Sequence, residues 1–143
     1  MNALRWILSL ILAGLFVYMA VFKFLPEVNG SVNPVFPVIA KNTGFAFVEP
    51  YFRWLTGAME IITALLLLVP ATRRAGAGLG LMILIGALVA HFTPILGIEV
   101  EGAGKTVFYM AIVMTVLSVI VLAIGGRRKV HVDDHHRVEE QHR

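Results

Sequence analysis

The chain has no cysteine, and that absence removes several chemistries at once. A disulfide scaffold, a thiolate nucleophile, a Cys-ligated zinc or iron–sulfur site and a CxxC relay all need a thiol. A quinone–disulfide relay of the four-helix type is excluded on the same ground. Charge is also scarce. Asp, Glu, Lys and Arg make up 15% of the residues, against about 25% in an average soluble domain. Neither a Walker loop nor a dinucleotide fingerprint occurs, so ATP-driven and nicotinamide chemistry are not housed in this chain. A bis-histidine haem would need two imidazoles at membrane depth, and the apolar runs hold only His91.

What is abundant is apolar. Such residues form 58% of the 143 and the mean hydropathy is +0.82, where a soluble domain carries roughly 45–50%. So much apolar matter with so little charge excludes a disordered chain. The formal charge of +3 comes from small basic clusters between apolar runs. That pattern points to membrane topology and not to a nucleic-acid-binding face.

Four stretches have spanning length: Trp6–Leu25, Phe52–Val69, Ala75–Ile95 and Val107–Ile124. About 20 helical residues cross a bilayer core of about 30 Å. The expected fold is all-α, an integral membrane four-helix bundle over residues 1–126 with a polar tail at 127–143. The first stretch reads as a retained helix. Its apolar core is too long for a signal peptide, and Lys23-Phe24-Leu25-Pro26 stands where a small-x-small cleavage site would be. Arg5, Arg73-Arg74 and Arg127-Arg128-Lys129 fall on one side of the spans, and Glu27, Glu49, Glu99 and Glu101 on the other. The positive-inside rule then predicts cytoplasmic N- and C-termini in a bacterial plasma (inner) membrane.

The short link Pro70–Arg74 forces the second and third spans into an antiparallel hairpin. The loop between the first two spans divides into a turn-rich part, Glu27–Pro34, and an apolar part, Val35–Val48. The second is too short to span and predicts a short interfacial helix, with Tyr51 and Trp54 in the aromatic belt. The tail carries His131, His135, His136 and His142 beside Asp133 and Asp134. Those are suitable metal ligands, but nothing in so polar a tail fixes their geometry, so no metal is expected.

Ionisable groups at membrane depth are costly and mark function by default. Three occur: Lys23, Glu60 and His91. Lys23 lies close enough to the outer end of its span to snorkel to the headgroups, or it can bend inward. Glu60 lies about 12 Å deep. It shares a face with Arg53, Thr56, Gly57, Thr63 and Ala64, a small and hydroxylated stripe of the kind that packs on other helices. His91 lies about 6 Å from the outer end of the third span, in one sector with Gly76, Gly80 and Ala87. Gly57, Gly76, Gly80 and Ala87 are therefore the expected helix-packing positions. A proton-sharing Glu60–His91 pair across the hairpin is the sharper expectation, and a buried carboxyl that merely fixes helix register is the plainer one. Tyr18, about 140° around the first span from Lys23, is expected to face away from any pocket they share. Tyr109 reads as an interfacial anchor.

Leu12-Ala13-Gly14-Leu15-Phe16 through Phe22-Lys23-Phe24, Gly57-Ala58-Met59-Glu60 leading into Leu65–Pro70, and Ile85-Gly86-Ala87-Leu88-Val89-Ala90-His91-Phe92 together resemble the DoxX and DoxX-like family. These are small four-helix bacterial membrane proteins. The family takes its name from a subunit of an archaeal thiosulfate:quinone oxidoreductase, and the resemblance implies the same triad, Lys23, Glu60 and His91. On this reading the chain is a membrane subunit or anchor of a quinone-linked redox or oxidative-stress system and is not an enzyme by itself. Its polar pocket would take a quinone, with no firmly bound cofactor. The expected partners are the lipid bilayer, a redox subunit and further copies of the chain, with no nucleic acid. A small proton-coupled permease gated by Glu60 and a purely structural assembly factor are the alternatives.

Overall fold

A computed structural model of the protein describes residues 2–25 and 34–125. The turn-rich segment at 26–33 and the His-rich tail lie outside the described residues. Helix α1 runs Asn2–Phe24, α2 Val35–Thr43, α3 Tyr51–Leu68, α4 Arg73–Phe92 and α5 Thr106–Gly125, with a 3-10 turn at Ala46–Val48. Four helices are long and apolar enough to cross a membrane. The chain is an all-α, multi-pass membrane protein. Among the described residues the only β feature is an isolated bridge, Val100 to Gly104.

Local chemistry sets the helix ends. Helix α3 opens directly after Pro50, whose carbonyl accepts the first helical bond from the Trp54 N–H at 3.0 Å. Helix α4 begins at Arg73 and stops at Phe92, short of Ile95. Pro94 disfavours a helical conformation at the residue before it, and Thr93 is extended at φ −115°, ψ 165°. Helix α2 tolerates Pro37 because it falls in the first turn, where the missing N–H has no intrahelical acceptor. The left-handed Gly44 closes it by donating to the Ala40 carbonyl.

Helix α1 packs mainly on α3, α4 lies between α3 and α5, and the α1–α5 seam is the lightest of these contacts. Lipid offers no hydrophobic force between spans, so close approach depends on small residues. A methyl at Gly80 would stand 2.7 Å from Phe16 Cζ, and one at Gly76 2.8 Å from the Leu67 amide nitrogen. Those two glycines seat α4 against α1 and α3. Ala87 does not share that task. It is half-buried and borders an open cavity, because the helices diverge above Gly80.

The core cluster includes Leu12, Phe16, Leu67, Ala77, Met114 and Val121. It fills the half of the bundle nearer the α3–α4 turn. Large apolar side chains such as Ile11, Leu65, Ile85 and Val116 stay exposed on the outside, where hydrocarbon covers them. The other half of the bundle is hollow.

Candidate functional site

Lys23 stands one residue before the end of α1 and does not snorkel. Its ammonium donates to both carboxylate oxygens of Glu60, at 2.7 and 2.8 Å, and the two residues are 5% and 4% exposed. Gly57 makes this possible. A methyl there would lie 2.9 Å from Phe24 Cε2 and 3.1 Å from Lys23 Cβ, so α1 meets α3 at that glycine. Glu60, one turn along the same face, then comes within reach of the ammonium. In a medium that solvates neither ion, the pair is the arrangement that lets both remain buried. Lys23 Nζ also stands 5.8 Å from the centre of the Phe36 ring, a cation–π contact that draws α2 over the pair.

A second ion pair supports the first. Arg53 donates to Glu49 Oε1 from Nε at 2.7 Å and from Nη2 at 2.6 Å. Its other terminal nitrogen donates to the backbone carbonyl of Lys23, one of the carbonyls that the end of α1 leaves without an intrahelical donor. Arg53, expected on the face of Glu60, is thus a buried clamp. The i, i+4 spacing of Glu49 and Arg53 was the available signal.

His91 and Glu60 do not pair. The ammonium occupies both oxygens of Glu60, and His91 turns to the following loop, with Nδ1 2.6 Å from the Gly97 carbonyl oxygen. A carbonyl only accepts, so Nδ1 is the donor of this bond. Phe108 packs edge-on against the imidazole, with ring centres 5.5 Å apart. The sequence-level expectation of a shared Glu60–His91 proton is overturned by this competition for Glu60.

Lys23, Glu60 and His91 nevertheless border one cavity of about 750 Å³. Its remaining wall is mostly apolar, including Phe22, Phe36, Met59, Ala87, Met110 and Met114. Helix α2 and the α4–α5 loop close one end through Ile39, Leu96 and Ala103, joined where Asn42 Nδ2 donates to the Ile95 carbonyl at 3.0 Å. Tyr18 lines the cavity together with Lys23, against the helical-wheel expectation, because so broad a space subtends much of the α1 circumference. Tyr18 is 54% and Met82 70% exposed, so the cavity reaches the outer surface of the bundle at bilayer depth. Tyr109 is exposed and packs only its ring against Phe108 at 5.8 Å.

These features define a polytopic membrane protein whose four-helix bundle is packed at one end and hollowed at the other around a charge-neutral polar wall. The sequence model of the methylamine utilisation protein MauE matches residues 1–102, and the chain belongs to that family. The match covers α1 through α4 and replaces the DoxX resemblance, which rested on short runs in α1, α3 and α4. No curated protein and no solved structure matches the chain.

Proposed function

We propose that this protein is a membrane accessory component of a redox system serving methylamine utilisation, and that its cavity holds a small, lipid-soluble ligand of the quinone class. The family name supplies the first half. The second half rests on one observation: a mostly apolar cavity of about 750 Å³ open to the bundle surface, with Lys23, Glu60 and His91 in its wall. Small-molecule sites combine such an apolar lining with a few polar groups that fix orientation. Here the polar groups carry no net charge, because the Lys23 ammonium balances the Glu60 carboxylate at 2.7 Å. A neutral planar ring with carbonyl oxygens suits that wall. A methylammonium ion does not, since the carboxylate that would hold it is already occupied.

The same neutrality speaks against Glu60 as a lone protonatable gate. The protein would sit in a bacterial plasma membrane with both termini cytoplasmic, as the basic clusters suggest, beside a partner subunit that carries the catalytic redox group. To test this, the full chain in lipid nanodiscs is titrated with a short-chain ubiquinone or menaquinone. Saturable binding is expected, and it should weaken in Ala87→Leu, which narrows the cavity beside His91 and leaves the ion pair intact. Growth of the host on methylamine should slow with the same variant. Equal quinone partitioning into nanodiscs with wild type, with Ala87→Leu and with no protein would sink the ligand assignment.

A further inference from the structure

A second site lies at the opposite end of the bundle, at the α3–α4 turn. Arg5, Trp6, Pro70 and Arg73 enclose a pocket of about 210 Å³, below the roughly 300–1,000 Å³ usual for a drug-sized ligand. Arg73 is only 3% exposed. Its Nε donates to the Leu67 carbonyl at 3.0 Å and its guanidinium stacks over the Trp6 ring, 4.2 Å from the centre. Both contacts fix the plane of the group. One terminal nitrogen, Nη2, is then left buried with no hydrogen-bond partner, and so is Nε of Arg5.

Buried donors of charged groups without an acceptor are costly, and nothing nearby among the described residues supplies one. The described carboxylates are Glu49, Glu60, Glu99 and Glu101. Glu49 is held by Arg53, Glu60 by Lys23 and Glu101 stands 4.0 Å from Lys41. Glu99 lies in the α4–α5 loop at the far end. Among the described residues, two neighbouring guanidinium groups therefore share a pocket without a counter-charge. Arg73 is also the first residue of α4, and the first-turn amides of a helix have no intrahelical acceptor and add partial positive charge.

We infer that this pocket binds a phosphate group through Arg5 and Arg73, and that the phosphate is presented by the headgroup of an anionic phospholipid. Arginine forks match phosphate oxygens in pairs, which would satisfy the two orphaned nitrogens together. The site lies at the ends of α1 and α4, with Trp6 beside it. Indole rings concentrate at that level of a bilayer, where headgroups are found. A pocket of this size takes the phosphate and its immediate ester and leaves the acyl chains along the exposed α1 surface at Leu10 and Ile11.

The experiment compares phosphatidylglycerol, phosphatidylcholine and inorganic phosphate as separate probes on the delipidated full chain in detergent. Retained lipid is read by native mass spectrometry and stability by thermal shift. Phosphatidylglycerol should be retained and stabilising at concentrations where phosphatidylcholine is not. Arg5→Gln and Arg73→Gln should each weaken that preference about tenfold or more, the loss of one charge-assisted hydrogen bond. Arg74→Gln, an exposed neighbour, should leave it unchanged. Because Arg73 is buried, Arg5→Gln carries the test if Arg73→Gln does not fold. Equal retention of the two lipids, or an unchanged preference in Arg5→Gln, overturns the inference. Full protection by inorganic phosphate with no further gain from the lipid assigns the pocket to a soluble phosphate and overturns the lipid source.

Discussion

Replacing Lys23 by Met keeps an apolar stem of similar length and removes the ammonium that donates to Glu60 at 2.7 and 2.8 Å. At that separation the direct attraction is about 6 kcal/mol for an effective dielectric of about 20. Most of it offsets the desolvation of the two ions, so the attraction is not the net contribution of the pair. The cost of the substitution comes from what stays behind: an unpaired carboxylate that is 4% exposed. Breaking a buried pair from one side costs about 3–5 kcal/mol. Glu60→Met should cost a similar amount by stranding the ammonium. The double variant Lys23→Met/Glu60→Met strands nothing, and replacing a whole buried pair by apolar residues is neutral or stabilising by about 1–4 kcal/mol. Reversible unfolding of the four proteins in mixed micelles, with increasing denaturing detergent, gives the cycle. The coupling energy should exceed the about 0.5–3 kcal/mol of ordinary neighbours. Additive losses, with the double variant the least stable of the four, would show that the pair does not exist in the folded protein. Quinone binding should be lost even where stability returns, because the rescued cavity has no Lys23 or Glu60.

Three further outcomes are expected. Gly57→Ala and Gly80→Ala push methyl groups to 2.9 Å from Phe24 and 2.7 Å from Phe16, and each should lower stability by about 1–3 kcal/mol. Gly86→Ala meets nothing within 4 Å and should be neutral or slightly stabilising in the same unfolding assay. His91→Phe keeps the ring contact with Phe108 but loses the donor to Gly97, so hydrogen exchange should rise over 93–105 while α4 itself stays protected; unchanged exchange there would contradict the assigned bond. Cysteine labelling has no background in a chain without cysteine. Single thiols at Ser31 and Glu99 should react from the outside and a reporter fused after Arg128 should read the inside; all on one side would refute the proposed orientation.

The spans were legible because each is a run of about 20 apolar residues, a signal that neighbouring structure rarely overrides. Their ends were less so, since α4 stops where Pro94 dictates and not where hydropathy falls. That Glu60 faces inward was legible from the small and hydroxylated stripe around it, and Gly57, Glu60, Thr63 and Ala64 are buried together on α3. Its partner was not. A one-helix wheel ranks residues by angle alone, and Lys23 and His91 both satisfy the angle. What decides between them is distance between helices, which Gly57 sets by letting α1 approach α3. The choice also follows from chemistry, since a buried carboxylate is matched by the full positive charge of an ammonium. Tyr18 failed the wheel test for the opposite reason: the test assumes a narrow pocket, and this cavity is wide.

The two ends of the bundle divide the work. Near the α3–α4 turn, Leu12, Phe16, Leu67 and Val121 are essentially inaccessible to solvent, and Gly76 and Gly80 bring the helices into contact. Above that level α1 and α3 are joined by polar contacts, Lys23 to Glu60 and Arg53 to the Lys23 carbonyl, while Glu49 braces Arg53 and Gly97 braces His91. Polar contacts between spans contribute only about 0.6–2 kcal/mol each in lipid, so they are poor substitutes for a filled core. They fix α1 on α3 beside Gly57 and leave the space toward α4 and α5 unoccupied. The cavity of about 750 Å³ lies where α4 and α5 lack the close glycine contacts that Gly76 and Gly80 make below. Charged side chains act here as struts, and because the Lys23–Glu60 strut is neutral as a pair, it leaves an interior that an uncharged ligand can enter from the bilayer.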